Sequence, residues 1–199
     1  GKEDSLSQHS MYLLGDAYLR TGQKSNARNA FFFCASNSSD KKQQEVSKFQ
    51  FAKLSYELGY QDEALNGLKS FLNDYPNSTY STEAKDLLVA VLTNTNNYRE
   101  AISLLDGMNN PSPNAKRLYP RILYGRATEL INDGRMAEAD GLLDKALKDP
   151  NSGSVLPLIN FWKGEIAYRN NRLDDAIKHY NAYVSGGSPG SGGSNTSNA

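Results

Sequence analysis

An all-α solenoid of five helical hairpins, about ten helices in all, is the fold that this 199-residue sequence predicts. Three observations predict it. First, five alanines, Ala27, Ala64, Ala101, Ala139 and Ala176, recur at separations of 37, 37, 38 and 37 residues, and a fixed period in this range is the signature of stacked supersecondary units. Second, other residue types keep step with the alanines. A large apolar or aromatic residue follows each by four positions (Phe31, Leu68, Leu105, Leu143, Tyr180), and a small or β-branched one precedes each by twelve (Gly15, Ala52, Val89, Ala127, Gly164). Five positions before each alanine stands Gly22, Gly59, Asn96, Gly134 or Asn171, and immediately before it a polar or acidic residue. Third, no stretch sustains the alternation with β-branched enrichment that marks a strand.

Each column has a physical cause. Glycine and asparagine enter the left-handed backbone region at low cost, and helices commonly end on one, so this column marks where a first helix stops and the chain reverses. The small residue and the alanine, one on each helix, let the two axes approach. The large residue one turn later fills the space against the first helix. The first hairpin is therefore expected over 5–21 and 24–37, turning at Gly22. The second falls over 41–58 and 61–74, turning at Gly59, and the third over 80–94 and 97–108, turning at Asn96. The fourth runs over 114–132 and 135–148 around Gly134, and the fifth over 155–170 and 173–185 around Asn171. Pro76, Pro113 and Pro150 are expected to stop second helices and open the links between hairpins.

Composition narrows the function. Twenty-two basic and 22 acidic side chains cancel to a formal charge of zero, without the basic excess that neutralises phosphates, so no nucleic-acid partner is expected. No window approaches the roughly 18 apolar residues of a membrane span, and the chain is read as not transmembrane. The start, Gly1-Lys2-Glu3-Asp4-Ser5, lacks the apolar core of a signal peptide. The single cysteine, Cys34, sits in Phe31-Phe32-Phe33-Cys34-Ala35 and reads as a small buried apolar residue. The two histidines, His9 and His179, lie on the first and last hairpins and complete no ligand set, so no metal site is predicted. No phosphate loop, nucleophile elbow or nucleotide fingerprint occurs. Acidic residues such as Glu138, Asp140, Asp174 and Asp175 fall at second-helix starts, where they complement the helix dipole. The expectation is a non-enzyme with no catalytic residues and no cofactor.

These columns resemble the tetratricopeptide repeat. The first repeat carries Met11, Leu14-Gly15, Tyr18, Gly22, Ala27 and Phe31; the second carries Phe51-Ala52, Gly59, Ala64, Leu68 and Pro76; the third departs most, with Val89 and Asn96. The resemblance covers residues about 8–188, as repeats near 8–41, 45–78, 82–115, 120–153 and 157–188, and implies a right-handed superhelix over a domain spanning 5–185. The run Tyr75-Pro76-Asn77-Ser78-Thr79-Tyr80 looks like repeats of periplasmic and outer-membrane-associated bacterial proteins. Phe161-Trp162-Lys163-Gly164-Glu165, with Asp175-Ala176-Ile177 and Tyr180, looks like large repeat proteins of Bacteroidetes-type bacteria. A periplasmic or outer-membrane-associated place is the expectation, with a cytoplasmic one left open.

The last helix offers Leu173, Ala176, Ile177, Tyr180, Tyr183 and Val184 with no further helix to cover them, and a Gly/Ser-rich stretch, 186–199, follows. That stretch reads as a flexible tail or as an interrupted link between repeats, the second making the chain a segment of a longer protein.

In the family, first helices line a concave face, and outward positions on them contact a protein or peptide ligand. The resemblance places there His9, Tyr12, Asp16 and Arg20; Phe49, Lys53, Tyr56 and Glu57; Asp86, Ala90 and Asn94; Arg121, Tyr124, Thr128 and Ile131; and Phe161, Glu165, Tyr168 and Arg169. Rings with arginine are the usual composition of a binding hot spot, which selects Tyr12, Arg20, Phe49, Tyr56, Glu57, Arg121, Tyr124, Phe161, Tyr168 and Arg169. The competing reading is that the rings pack between helices. Tyr12 and Asp16 stand where carboxylate-gripping members carry Lys and Asn, which argues against that function. A protein-interaction scaffold is the expected function. The alternatives are a glycan-binding repeat domain using Trp162 or Tyr124, and a cytosolic sensor that binds a signalling peptide.

Overall fold

A computed structural model describes residues 1–186, and the Gly/Ser stretch from Gly187 onward, with its expected flexibility, lies outside the described residues. Among the described residues there are ten α-helices and one 3₁₀ turn, and no strand. The first helices of the five hairpins are α1 (Lys2–Arg20), α3 (Lys41–Glu57), α5 (Ser81–Asn94), α7 (Pro113–Asn132) and α9 (Leu156–Arg169). The second helices are α2 (Lys24–Ala35), α4 (Gln61–Asp74), α6 (Tyr98–Asp106), α8 (Met136–Leu147) and α10 (Leu173–Ser185). The 3₁₀ turn, Ser152–Ser154, falls in the last link and was not expected.

The chain gathers into two compact units, one of residues 1–112 and one from Pro113 onward. In the first, α1 pairs with α2, α3 with α4 and α5 with α6, while α2 packs on α3 and α4 on α5. First helices also meet one another there, α1 with α3 and α3 with α5. In the second unit α7 pairs with α8 and α9 with α10, and α8 packs on α9.

The hairpin turns follow from five backbone angles. Gly22, Gly59, Asn96, Gly134 and Asn171 have φ of 75°, 84°, 58°, 76° and 57°. This is the whole Gly/Asn column and every positive-φ residue of the described chain. Without left-handed residues there, the first helices would have no inexpensive way to reverse. The alanine column is buried throughout. Where the small residue is glycine, the reason is steric: a Cβ on Gly15 would lie 2.9 Å from the Phe31 ring, and one on Gly164 2.8 Å from the Tyr180 ring. In the first unit Ala27, Phe31 and Leu54 form a core against which Tyr12, Tyr18, Leu19 and Phe51 pack.

One proline differs from expectation. Pro113 does not stop a second helix: α6 has already ended at Asp106, and Pro113 is the first residue of α7. A first helical residue has no intrahelical N–H bond to lose, so proline is welcome there. Pro120 lies buried inside α7, where it removes one helical hydrogen bond.

Candidate interaction surface

In the first unit the first helices are joined on their outward side by polar side chains. Gln43 Nε2 on α3 lies 2.9 Å from His9 Nδ1 on α1, and Lys53 Nζ on α3 lies 2.6 Å from Glu83 Oε1 on α5. The half-buried Tyr12 meets Phe31 edge-on, with centroids 6.3 Å apart. Burial, with the charge of Tyr80 and Asp16 nearby, pushes its phenol above the ordinary value. Asp16 holds Arg20 at 2.7 Å, and Tyr56 is half-buried.

Other residues selected from the sequence are covered or held by neighbours to different degrees. Phe49 is only 1% exposed, its ring stacked on Tyr80 at 4.7 Å and tilted against Phe71 at 5.5 Å. It therefore packs, and offers no surface to a ligand. Glu57 turns toward α2, where its carboxylate meets Lys24 Nζ at 2.9 Å. Asp86 accepts from the Ser112 backbone at 3.4 Å, and Ala90 is buried, leaving Asn94 exposed on α5.

In the second unit, Arg121 is exposed and Tyr124 half-buried on α7, while Ile131 is buried and the Thr128 hydroxyl bonds to the Gly125 carbonyl at 2.7 Å. On α9, Tyr168 is 64% exposed and Arg169 is exposed beside Glu165, 3.8 Å away. Phe161 packs on Trp162 and Tyr183, at 5.3 and 5.6 Å. Glu165 accepts the Tyr180 hydroxyl at 2.5 Å, and this bond, above all, pushes the phenol up to about 12. Tyr12, Arg20, Tyr56, Glu57, Arg121, Tyr124, Phe161, Tyr168 and Arg169 thus keep accessible surface, whereas Phe49 is buried in the packing.

Three further side chains shape these faces. Gln8 is fully buried: its amide donates to the carbonyls of Asn37 (2.7 Å) and Asp40 (3.0 Å), and its oxygen accepts from the Asp40 N–H (2.6 Å). It clamps α1 to the link between hairpins. Glu45, 37 residues on, plays the same part by accepting from Ser78 at 2.5 Å. Lys163 is buried between Asp140 (2.7 Å) and Asp144 (2.6 Å). Burial alone would lower its pKa, but the two carboxylates outweigh that and hold the ammonium above its ordinary value. Asp140 also pairs with Arg172 at 3.5 Å, and Glu138 with Arg135 at 2.6 Å, so these acids do more than complement a helix dipole. The sequence offered a signal for Lys163, since Asp140 and Asp144 are four apart and share one face of α8.

Cys34 is buried, and its burial raises the thiol pKa. Among the described residues, no three His, Cys, Asp or Glu side chains are placed to hold a metal. No described helix is long and apolar enough to cross a membrane.

Paired helices reversed at left-handed residues, packed second helix to first, define a helical-repeat protein. Family models of the tetratricopeptide repeat match residues 8–31, 47–78 and 124–192, together more than half of the chain. The chain belongs to the tetratricopeptide-repeat family, and it is a protein-interaction scaffold domain of that kind. No curated protein matches it. Among solved structures, MamA 41-end from Desulfovibrio magneticus RS-1 is similar at 18% identity and a TM-score of 0.51, over 90% of this chain and 94% of that one. MamA of AMB-1 gives 20% identity and 0.55, over 93% and 96%. PilF of Pseudomonas aeruginosa gives 15% identity and 0.44, over 95% and 80%. The likeness to MamA is one of fold. Tetratricopeptide repeats are typically non-catalytic, and no enzyme family is among the matches.

Proposed function

We propose that this domain holds a protein ligand on the outward faces of its first helices, as part of a larger assembly of a bacterial cell envelope. One observation carries the reading. In the first unit α3 lies against both α1 and α5, and half-buried Tyr12 and Tyr56, with Arg20 and Lys53, stand on the two adjacent first helices α1 and α3. Half-buried rings beside cations bind through apolar area with little ordering cost, since their packed side chains have already lost most of their freedom. Tyr124, Arg121, Tyr168 and Arg169 supply the same chemistry in the second unit. The zero formal charge gives no field to steer a polyanion. An extended or helical peptide with its own apolar anchors fits such a face.

The envelope assignment rests on the Tyr75–Tyr80 run and on the Phe161–Glu165 run, and cell fractionation of the producing bacterium tests it. Trp162, the basis of a glycan reading, is half-buried against Phe161, and the protein-ligand reading is kept. A photo-crosslinking amino acid placed at Tyr56 or Tyr168 is expected to capture one protein, which the same group at the exposed second-helix positions Asn66 and Lys178 does not. Equal capture from all four positions would overturn the assignment.

A further inference from the structure

We propose that the third hairpin binds a carboxylate from outside the chain, in a cavity of about 270 Å³ beside the Lys85 ammonium. The second hairpin supplies the pattern. There Lys48 Nζ lies 3.1 Å from Asp74 Oδ2, in the last turn of α4, and 5.7 Å from the centroid of the Tyr75 ring. Asn73 Nδ2 and Ser70 Oγ each donate to the same carboxylate at 3.4 Å. The Lys48 ammonium, above all, holds the Asp74 carboxyl below its ordinary pKa. The third hairpin keeps the donors and loses the acid. Thirty-seven residues on, Lys85 stands for Lys48 and Asn110 for Asn73, but Asp74 becomes Pro111, which offers no carboxylate. Helix α6 also ends early. It spans 9 residues where α4 spans 14, so the link 107–112 replaces the turn that would carry the acid.

What remains is the cavity. Thr82, Lys85, Met108, Asn109 and Asn110 line it, all within the first compact unit. Lys85 is half-buried, and among the described residues it forms an ion pair with no carboxylate. The acids beside it in sequence are engaged elsewhere: Glu83 holds Lys53 at 2.6 Å, and Asp86 accepts from the Ser112 N–H at 3.4 Å. An ammonium stripped of part of its water, with amide and hydroxyl donors around it, binds an anion, because charge-assisted hydrogen bonds replace the lost hydration. The repeat counterpart, one carboxylate between an ammonium and an amide, makes a carboxylate the fitting anion. A phosphate dianion would exceed the charge of the single lysine in the lining. Two sources carry the fitting group, a free small carboxylate and an acidic side chain of another protein.

Amide chemical shifts of the full chain read the site directly. The titrants, at constant ionic strength, are acetate, inorganic phosphate and a blocked tripeptide whose one charge is a glutamate side chain. Acetate and the tripeptide are expected to shift the amides of Thr82, Lys85, Asn109 and Asn110 along one saturating curve. Lys85→Gln removes the charge, and Asn110→Asp gives the cavity a carboxylate of the chain's own. Each is expected to weaken the response about tenfold or more. Dispersed amide spectra show that each variant is folded. Tighter binding of the tripeptide than of acetate assigns the source as an acidic side chain, and equal or weaker binding assigns a free carboxylate. A wild-type spectrum unmoved by either carboxylate would overturn the proposal. So would phosphate that binds as tightly as acetate, or either variant, folded, that responds as wild type does.

Discussion

A methyl group at Gly164 would stand 2.8 Å from the Tyr180 ring, and one at Gly15 2.9 Å from Phe31, so neither hairpin has room for even one more carbon. Gly164→Ala and Gly15→Ala are each expected to cost about 1–3 kcal/mol in urea unfolding, the usual penalty of overpacking; unchanged midpoints would show that the helices part freely. A second residue-scale prediction concerns His179, whose Nδ1 lies 3.0 Å from Asn160 Oδ1. Burial first, then the charges of Lys163 and Lys178, hold its pKa below the ordinary 6.5. A lowered histidine pKa means that the folded form binds its proton less readily than the unfolded form. Its contribution is therefore complete above about pH 6.5 and is lost as pH falls through the folded value. His179→Gln should flatten the fall in thermal stability below that pH, and an identical fall in wild type and variant would exclude the linkage.

At the scale of the helix and its turn, two glycines should respond with opposite sign. Gly59 sits at φ 84°, where a Cβ costs roughly 1–2 kcal/mol. Gly141 lies exposed inside α8, and a Cβ there would meet nothing within 4 Å. Gly59→Ala is expected to lower stability, and Gly141→Ala to raise it by about 0.5–1 kcal/mol. Equal effects in denaturant titrations would contradict the turn geometry. This scale is also where the sequence was most legible. A turn needs one residue type at one place, so Gly22, Gly59, Asn96, Gly134 and Asn171 announced themselves, and helix ends fell within three residues of expectation in every hairpin. Side-chain polar joints were far less legible. Lys163 drew no role from the sequence: its column also holds Leu14, Phe51, Leu88 and Arg126, and only the structure shows Asp140 and Asp144 enclosing the ammonium. Gln8 was missed because its partners are backbone groups of a link some thirty residues on, and backbone carbonyls carry no sequence signal. The family resemblance placed Phe49 on the ligand face, with packing as the competing reading, and the stacking of Tyr80 decides for packing.

For the molecule as a whole, the two compact units each carry the same kind of surface, rings and cations on first helices above cores of alanine and large apolar residues. The functional claim is that these surfaces, and not a pocket or a catalytic cluster, hold the protein ligand. The most direct measurement is the affinity of the protein captured by crosslinking at Tyr56, titrated by calorimetry against wild type, Tyr56→Ala and Tyr168→Ala. Asn66→Ala, on the exposed side of α4, is the control. Each variant is first shown by thermal unfolding to be folded. The account predicts that at least one of the two tyrosine truncations weakens binding by about 2 kcal/mol or more, while the control changes it little. Folded Tyr56→Ala and Tyr168→Ala proteins that both bind as tightly as wild type would contradict it.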